Sequence, residues 1–364
     1  MYIYQAKGWP NFVWNTNEVL PLLGKVRHRQ GLLFGQMNSL GFSLKENAVL
    51  DTLALDVTKS SEIEGEVLNL EQVRSSIARR LGIDIGTVTP AGRDVEGVVE
   101  MLLDATQRYG EQLTAERLFG WHAALFPTGR SGMYKITVGN WRTGEAGPMQ
   151  VVSGPIGREK VHFEASDANL LKRETDSFLN WINNDNTNDP VIKAAIAHLW
   201  FVTIHPFDDG NGRIGRAVMD LLLARADDST YRFYSVSAQI LRERQEYYKQ
   251  LEVTQRSSLD ITPWITWFLN CMYRSMSYSE ELLAGVVKRN EFWAKYKETD
   301  LNERQRKVLV VLLDNFFGKL TSSKWAKMAK TSQDTATRDL QDLVAKGILV
   351  KEPGGGRSTS YTLV

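Results

Sequence analysis

Between His205 and Arg216 the chain reads HPFDDGNGRIGR, with a histidine, two adjacent acids, two glycines around an asparagine and two arginines. That is more chemistry than a connection between elements needs. His205 is a titratable base. Gly210 and Gly212 let an anion approach the backbone closely. If a helix begins near Gly212 or Arg213, unpaired N–H groups and about half a positive charge gather at that turn, which suits phosphate. Arg213 and Arg216 then project from one face of the first turn, where the helix dipole disfavours cations unless an anion compensates. Asp209 offers hard oxygen of the kind Mg²⁺ takes alongside substrate phosphates. Each residue also has a plainer reading, because a single His at a helix end is usually structural and Gly-Asn-Gly is usually a turn.

The flanking patterns predict the helices that must hold this loop. DPVIKAAIAHLWFVTI opens with Asp189 as N-cap and Pro190 at the first helical position, then stays apolar, as a buried helix does. Downstream, Ile214, Val218, Leu221 and Leu222 share one helical face. Residues 1–45, with Trp9, Phe12 and Trp14 ahead of Val19, Leu22, Leu23 and Val26, read as a helical hairpin region. Leu53, Val57, Ile63, Val67 and Leu70 suggest helix on both sides of a polar interruption, Ser60 to Gly65, which alone would be a solvated acidic turn. An amphipathic helix is expected from Arg93 to near Gly110. Another should be capped by Thr114 and run through WHAALF to Pro127, with His122 a hydrogen-bonded core histidine of no catalytic role. Between Arg130 and Gly157, short runs such as KITV and MQVVS among glycines predict a β-hairpin. After the loop, LRERQEYYKQLEVTQRSSLD continues helically, PWITWFLNCMYRSM reads as a buried helix, and KRNEFWAKYKETD as a charged helical spacer.

At 364 residues the chain has room for two or three domains. Its net charge of +1 argues neither for nor against nucleic acid, but residues 301–364 carry eleven Lys or Arg against six acids, a local +5 that leaves −4 elsewhere. The single cysteine, Cys271, excludes an internal disulfide framework and a Cys-based zinc site, and suits a reducing cytoplasm. No apolar run reaches the roughly 18 residues of a membrane span, and MYIYQAKGWPNF is too polar for a signal peptide. The expectation is a soluble cytoplasmic protein with no membrane partner. No GxxxxGK(S/T) loop, dinucleotide fingerprint or HExxH motif occurs.

HPFDDGNGRIGR closely resembles the Fic family signature, HPFx(D/E)GNGRxxR, with every fixed position matched. The resemblance implies a mainly α fold, a helical core with a small β-hairpin flap, and transfer of AMP from ATP to a Ser, Thr or Tyr hydroxyl of a protein, or of the enzyme itself. It implies His205 as general base, Asp209 as Mg²⁺ ligand, and Gly210, Asn211 and Gly212 as the phosphate cradle. Arg213 and Arg216 would bind the β and γ phosphates. Tyr247 stands where the family has an adenine-lining tyrosine. Gln255 stands where some relatives have Asn, which leaves the adenine-edge contact open. Val151, Val152, Ser153 and Gly154 correspond to the flap's outer strand, counted with the ATP site, whose edge aligns a target by strand addition. SSEIEG resembles the inhibitory motif (S/T)xxxE(G/N), implying an inhibitory segment of Ser60, Glu64 and Gly65 in which Glu64 makes a bidentate pair with Arg216. Relatives that transfer phosphate typically have Lys at the place of Gly212, so the glycine favours AMP. Hydrolytic removal of AMP at the same site is an alternative.

The tail reads as a separate module. Asn302 and Gln305 form a capping box pattern before RKVLVVLLDNF. SSKWAKMAK follows, then a helix between Ser332 as N-cap and Gly347 as stop, then a two-stranded hairpin around a glycine tip. This order resembles a winged helix-turn-helix. The resemblance implies Gln333, Thr335 and Arg338 near the start of a recognition helix and Arg357 on the wing, all able to meet DNA. Asp334, Asp339 and Asp342 on that helix count against DNA, and winged helices also serve as protein-contact and dimerisation modules. The expected division is 1–110 as an N-terminal helical region with the inhibitory motif, 111–272 as the Fic catalytic core, 273–300 as a helical spacer, and 301–364 as the winged helix-turn-helix. A DNA-binding transcription regulator with a nucleotide-sensing core is the competing function, and a homodimer is left open.

Overall fold

The structure, a computed structural model, describes residues 1–40, 42–86, 88–145, 147–154, 158, 160–314, 318–352 and 359–364. It is mainly helical with a few small antiparallel strand pairs, and divides into two compact units, Met1–Ser279 and Glu280–Val364. The first unit begins with helices α1 (Thr16–Asn38), α2 (Phe42–Ile63), α3 (Leu70–Leu81), α4 (Arg93–Gln107) and α5 (Ala115–Leu125). Two small hairpins follow, β1 (Arg130–Ser131) with β2 (Tyr134–Lys135), and β3 (Gln150–Ser153) with β4 (Lys160–Glu164). Next come α6 (Leu171–Asn184), α7 (Pro190–Ile204), α8 (Asn211–Asp227), α9 (Val236–Arg242), α10 (Arg244–Gln255) and α11 (Thr262–Lys295), which carries the chain into the second unit.

The core is built on α7. Every residue from Val191 to Ile204 is buried, as a helix apolar on all faces requires. Asp189 caps it by accepting from the Val191 N–H at 2.8 Å, and Arg27 of α1 pairs with Asp189 at 3.0 Å. The buried α8 packs along α7, and α2 packs on α9 and α3. A buried charge cluster ties α2 to α8: Arg232 lies 2.9 Å from Asp220 and 3.9 Å from Asp56, which also accepts from the Ser235 hydroxyl. Burial first, and the neighbouring Asp220 next, hold the Asp56 carboxyl well above the usual carboxylate range.

Four expectations change. Residues 1–45 hold the 23-residue α1 and only the start of α2, so no hairpin is completed within them; a stripe of Val19, Leu23, Val26, Leu33 and Met37 is buried along the whole of α1. Helix α2 runs to Ile63, so Ser60 and Ser61 are buried in its last turn, while Val67 and Leu70 are exposed. KITV does not pair with MQVVS; β3 pairs with β4, which lies beyond Gly157 (Val151↔Phe163, Ser153↔Lys160). The partner is held by a distant contact, since Arg256, the residue after α10, donates to the carbonyls of Val161 and His162 at 2.9 and 3.0 Å. Finally, α11 passes through the expected boundary at 272/273 without a break, for no proline follows Pro263 in it and Met276 remains buried.

In the second unit, α12 (Glu303–Asp314), β5 (Leu320–Thr321), α13 (Ser322–Ala329), α14 (Gln333–Ala345), β6 (Leu349–Lys351) and β7 (Ser360–Leu363) enclose a core that includes Val308, Trp325, Leu340 and Ile348. The sheet order is β5-β7-β6, antiparallel. The capping box is reciprocal, with Asn302 N–H donating to Gln305 Oε1 at 3.0 Å and Gln305 N–H to Asn302 Oδ1 at 2.9 Å. Ser332 caps α14 and Gly347 follows it at φ +68°. The two-residue β5 is too short to leave a sequence pattern. Among the described residues, no helix is long and apolar enough to cross a membrane.

Arg232→Ala would leave Asp56 and Asp220 facing each other in the interior, and should cost the first unit about 3–5 kcal/mol in denaturant unfolding. Lys172→Ala, which breaks the exposed pair with Asp176, should leave the unfolding midpoint unchanged. Equal losses would mean that the buried cluster is not a tie.

Candidate active site

His205 ends α7 in the left-handed region, at φ +51° and ψ +60°, an uncommon conformation for a residue with a side chain. Its surroundings hold it there. The buried Arg142 donates through Nε to the His205 carbonyl at 2.9 Å and through Nη2 to the Ser166 carbonyl, while its backbone N–H donates to Pro206 at 2.9 Å. His205 Nδ1 lies 3.2 Å from the Val202 carbonyl. A proton on Nδ1 is the assignment that satisfies this contact, and it leaves Nε2 with a free lone pair. Burial pushes the imidazole down to about 4, so the ring is neutral at pH 7.

The rest of the loop is braced from inside. His122, the core histidine, has Nε2 at 3.2 Å from the Asp209 carbonyl, accepts the Gly139 N–H on Nδ1 at 3.2 Å, and stacks on Phe207 at 4.2 Å between centroids. Asn211 accepts from Phe207 N–H at 3.0 Å and donates to Phe207 O at 2.8 Å. Its side chain therefore ties the loop. Gly210 caps α8 at φ +80°, so the helix starts at Asn211, slightly before the expected position. Asp209 accepts from Gly210 N–H at 2.6 Å and from the Ser131 hydroxyl, and Asp208 accepts from Thr137 N–H at 2.8 Å.

Both arginines are buried and both meet carboxylates from the turn after α2. Arg216, 1% exposed, donates Nε to Ser60 Oγ at 2.9 Å and Nη2 to the Ser60 carbonyl at 2.8 Å. Nη1 lies 2.8 Å from Glu64 Oε1, an ion pair poorly aligned for a hydrogen bond. Glu64 thus meets Arg216 at Nη1, while Ser60 takes Nε and Nη2. At Gly212 a Cβ would stand 2.1 Å from Glu64 Oε1, so glycine is what admits this carboxylate. Gly65 forms the turn at φ +89°. Arg213 pairs through Nη1 with Glu66 and lies over the Phe126 ring. Glu66 escaped the sequence reading, as did Arg142. The signal for Glu66 was its place two residues after Glu64 in EGE.

Tyr247 and Gln255 are both buried. Tyr247 is 2% exposed, its hydroxyl 2.8 Å from His198 Nε2 and its ring beside Trp264 and Trp267. Gln255 is buried and donates to Thr203 Oγ1 at 3.2 Å. The partly exposed ring is Tyr248, whose hydroxyl reaches the Ile63 carbonyl at 3.4 Å. In the flap, Val151, Val152 and Ser153 lie on β3, whose outer edge pairs with no described strand, and Gly154 follows at φ +106°. In the second unit Gln333 and Arg338 are exposed and Thr335 is half-buried. Asp339 is buried against Arg304 and Trp325, and Asp342 engages Lys346 and Gln305. Arg357 lies outside the described residues.

A Fic/DOC family profile matches residues 112–223, around this loop. These residues are a Fic/DOC domain. Residues 2–83 ahead of it match a domain of unknown function (DUF4172). The chain is 29% identical over 212 residues to protein adenylyltransferase fic-1 of Caenorhabditis elegans, covering 57% of this chain and 38% of that one. It is 26% identical over 217 residues to protein adenylyltransferase Fic of Drosophila mojavensis, covering 59% and 38%. The chain thus spans under half the length of these relatives. A solved Fic family protein from Desulfovibrio desulfuricans shares the fold at TM-score 0.53 and 20% identity, over 97% of each chain. A glutamate-to-glycine variant of C. elegans Fic-1 does so at TM-score 0.51 and 22% identity, over 76% of each. In the Fic/DOC domain here, the loop's two arginines are both engaged by the segment that precedes the domain.

An ion pair to a half-exposed carboxylate such as Glu66 is worth up to about 1 kcal/mol. Glu66→Ala should therefore tighten binding of inorganic triphosphate at the start of α8 by at most about fivefold in calorimetry. Unchanged affinity would mean that Glu66 does not compete for Arg213.

Proposed function

We propose that the chain is a protein adenylyltransferase, restrained by Glu64 and Glu66, that moves AMP from ATP to a Ser, Thr or Tyr hydroxyl of a protein. The observation that carries this reading is a neutral histidine with a free Nε2 at the mouth of a helix N-terminus whose first two turns hold two buried arginines. The names of the relatives point the same way. ATP phosphates settle at the start of α8, where Arg213 and Arg216 take the β and γ groups once the two carboxylates leave. The target hydroxyl, aligned along the open edge of β3, attacks the α-phosphorus. Its proton passes to His205 Nε2, the α–β anhydride bond breaks, and pyrophosphate departs. Tyr248, exposed beside the inhibitory turn, is better placed than Tyr247 to stack on the purine.

Asp209 fits a Mg²⁺ ion. Its two oxygens have one protein donor each, from Gly210 and Ser131, which leaves lone pairs free. Among the described residues no cluster of three or more His, Cys, Asp or Glu offers a full ligand set, which suits an ion that draws most of its ligands from phosphates and water. When bound, it would neutralise phosphate charge.

A second reading concerns Glu280–Val364. Three helices and a three-stranded sheet in the order β5-β7-β6 support a winged helix-turn-helix. With Asp339 and Asp342 drawn to internal partners, only Asp334 of the three acids opposes nucleic acid at the exposed face of Gln333 and Arg338. The whole protein is read as cytoplasmic.

His205→Ala should abolish transfer of radiolabelled AMP with the fold intact by circular dichroism; retained labelling would remove His205 from the mechanism. Glu64→Gly should raise labelling under saturating Mg·ATP, and an unchanged rate would end the inhibitory reading. Because the base must be unprotonated, activity should fall as pH drops through about 4, not through the ordinary histidine value. An acid limb near 6.5 that persists in binding-saturated assays would contradict the buried, neutral ring. The full chain should shift DNA at low salt with Arg338→Ala weakening it; no shift at low salt would remove the DNA reading.

A further inference from the structure

The aromatic cluster of the N-terminal segment takes no part in the chemistry at His205. Phe12 and Trp14 of that segment, Trp181 on α6 and Trp200 on α7 line a cleft of about 250 Å³, and no residue of 205–216 lines it. The volume lies below the roughly 300 Å³ at which sites for small molecules begin, and suits one or two side chains of a longer ligand. The walls are fixed in advance. Trp9 Nε1 donates to Glu174 at 2.7 Å, Val13 exchanges backbone hydrogen bonds with Leu259 and Ile261 at 2.9 Å, and Asn15 N–H donates to Thr262 Oγ1 at 2.8 Å. Trp200 packs against Phe12 and Trp181, with ring centroids 5.8 and 5.3 Å apart. The half-buried Trp14 is thus pinned through its backbone neighbours on both sides. Among the described residues the indole N–H groups of Trp14, Trp181 and Trp200 find no acceptor, although Trp200 is only 3% exposed. Charge at the rim is balanced. The Asp185 carboxylate already accepts from Thr187 and Asn188, while the Lys193 ammonium donates to the Asp185 carbonyl and stands 5.4 Å from the Trp181 ring centre. No lysine or arginine lines the cleft, so nothing there holds a phosphate.

We propose that this cleft docks a proline-rich segment of a partner protein in the polyproline II conformation. The complement to aromatic faces and unpaired donors is a ligand with apolar rings, strong acceptors and no donors of its own. A run of prolines is such a ligand, because each residue lacks the N–H and leaves its carbonyl free. The pyrrolidine rings fill the space between the indoles, and the carbonyls accept from the indole N–H groups, as in other aromatic-lined grooves that take this helix. Both sides are stiff before they meet, so little conformational entropy is lost on docking. The site is independent of the phosphate chemistry at His205, and an empty result here would leave the adenylyltransferase reading standing.

The test titrates the full chain with a proline decapeptide in calorimetry and follows the indole N–H signals by nuclear magnetic resonance. Saturable binding is expected, with shifts of the signals that Trp14→Phe and Trp181→Phe delete. Trp14→Phe keeps a ring but removes the donor, and should weaken binding about threefold. Trp14→Ala removes both and should weaken it at least about tenfold, with the fold checked by circular dichroism. No saturable binding, or equal binding of a Gly-Ser decapeptide, would overturn the proposal. So would undiminished binding in a folded Trp14→Ala. Saturation by tetramethylammonium but not by the proline peptide would assign the cleft to a cation and overturn it as well.

Discussion

A guanidinium with almost no access to water must have its charge met inside the protein, and Arg216 sets that condition for the whole site. Three groups meet it: the Ser60 hydroxyl, the Ser60 carbonyl and one oxygen of Glu64. Two come from the last turn of α2 and cannot leave without unwinding it. Only Glu64 comes from the turn beyond the helix, and it is 31% exposed. The charge is thus permanently supported on two edges and exchangeable on the third. An anion that replaces Glu64 leaves no bare charge behind, which is what makes a buried pair of this kind switchable.

The neighbouring structure separates what must stay still from what can move. His205, Phe207 and Asp209 are tied from behind by Arg142, Asn211 and His122, all of them buried. The Asp56–Arg232–Asp220 cluster fastens α2 to α8 two turns before Glu64. By contrast, Glu64, Gly65 and Glu66 are exposed, and their grip on Arg213 and Arg216 is through side chains. Glu66 makes the restraint double: each of the two arginines has its own carboxylate, two residues apart around a glycine turn. Release of one turn therefore frees both arginines together.

Much of this was legible in the residues. The caps at Asp189, Thr114, Asn302 and Ser332 are local chemistry, satisfied within three residues, and they appear where the pattern places them. The conjunction in HPFDDGNGRIGR and the pairing of Glu64 with Arg216 were legible through a family resemblance. What misled was anything decided at a distance. Tyr247 and Tyr248 are adjacent and chemically alike, and only the packing of Trp264, Trp267 and His198 selects which ring is buried. The tie between the Asn211 side chain and the Phe207 backbone depends on the loop closing back on itself. MQVVS found its partner in KVHFE, a strand held by Arg256 just after α10, a contact about a hundred residues away.

By itself, then, the sequence determined the helices, their caps, the chemical type of the loop and the sign of its charges, because those depend on spacing within a few residues. Tertiary structure decided which oxygen meets which nitrogen. It set Glu66 against Arg213, brought Glu64 to Arg216 Nη1 while giving Ser60 the Nε and Nη2 atoms, and turned Asp339 and Asp342 toward internal partners. It also brought Trp14, Trp181 and Trp200 to one cleft from three different segments. Each of these outcomes depends on how close two backbones approach in space, and that distance is written in no stretch of chain shorter than the fold.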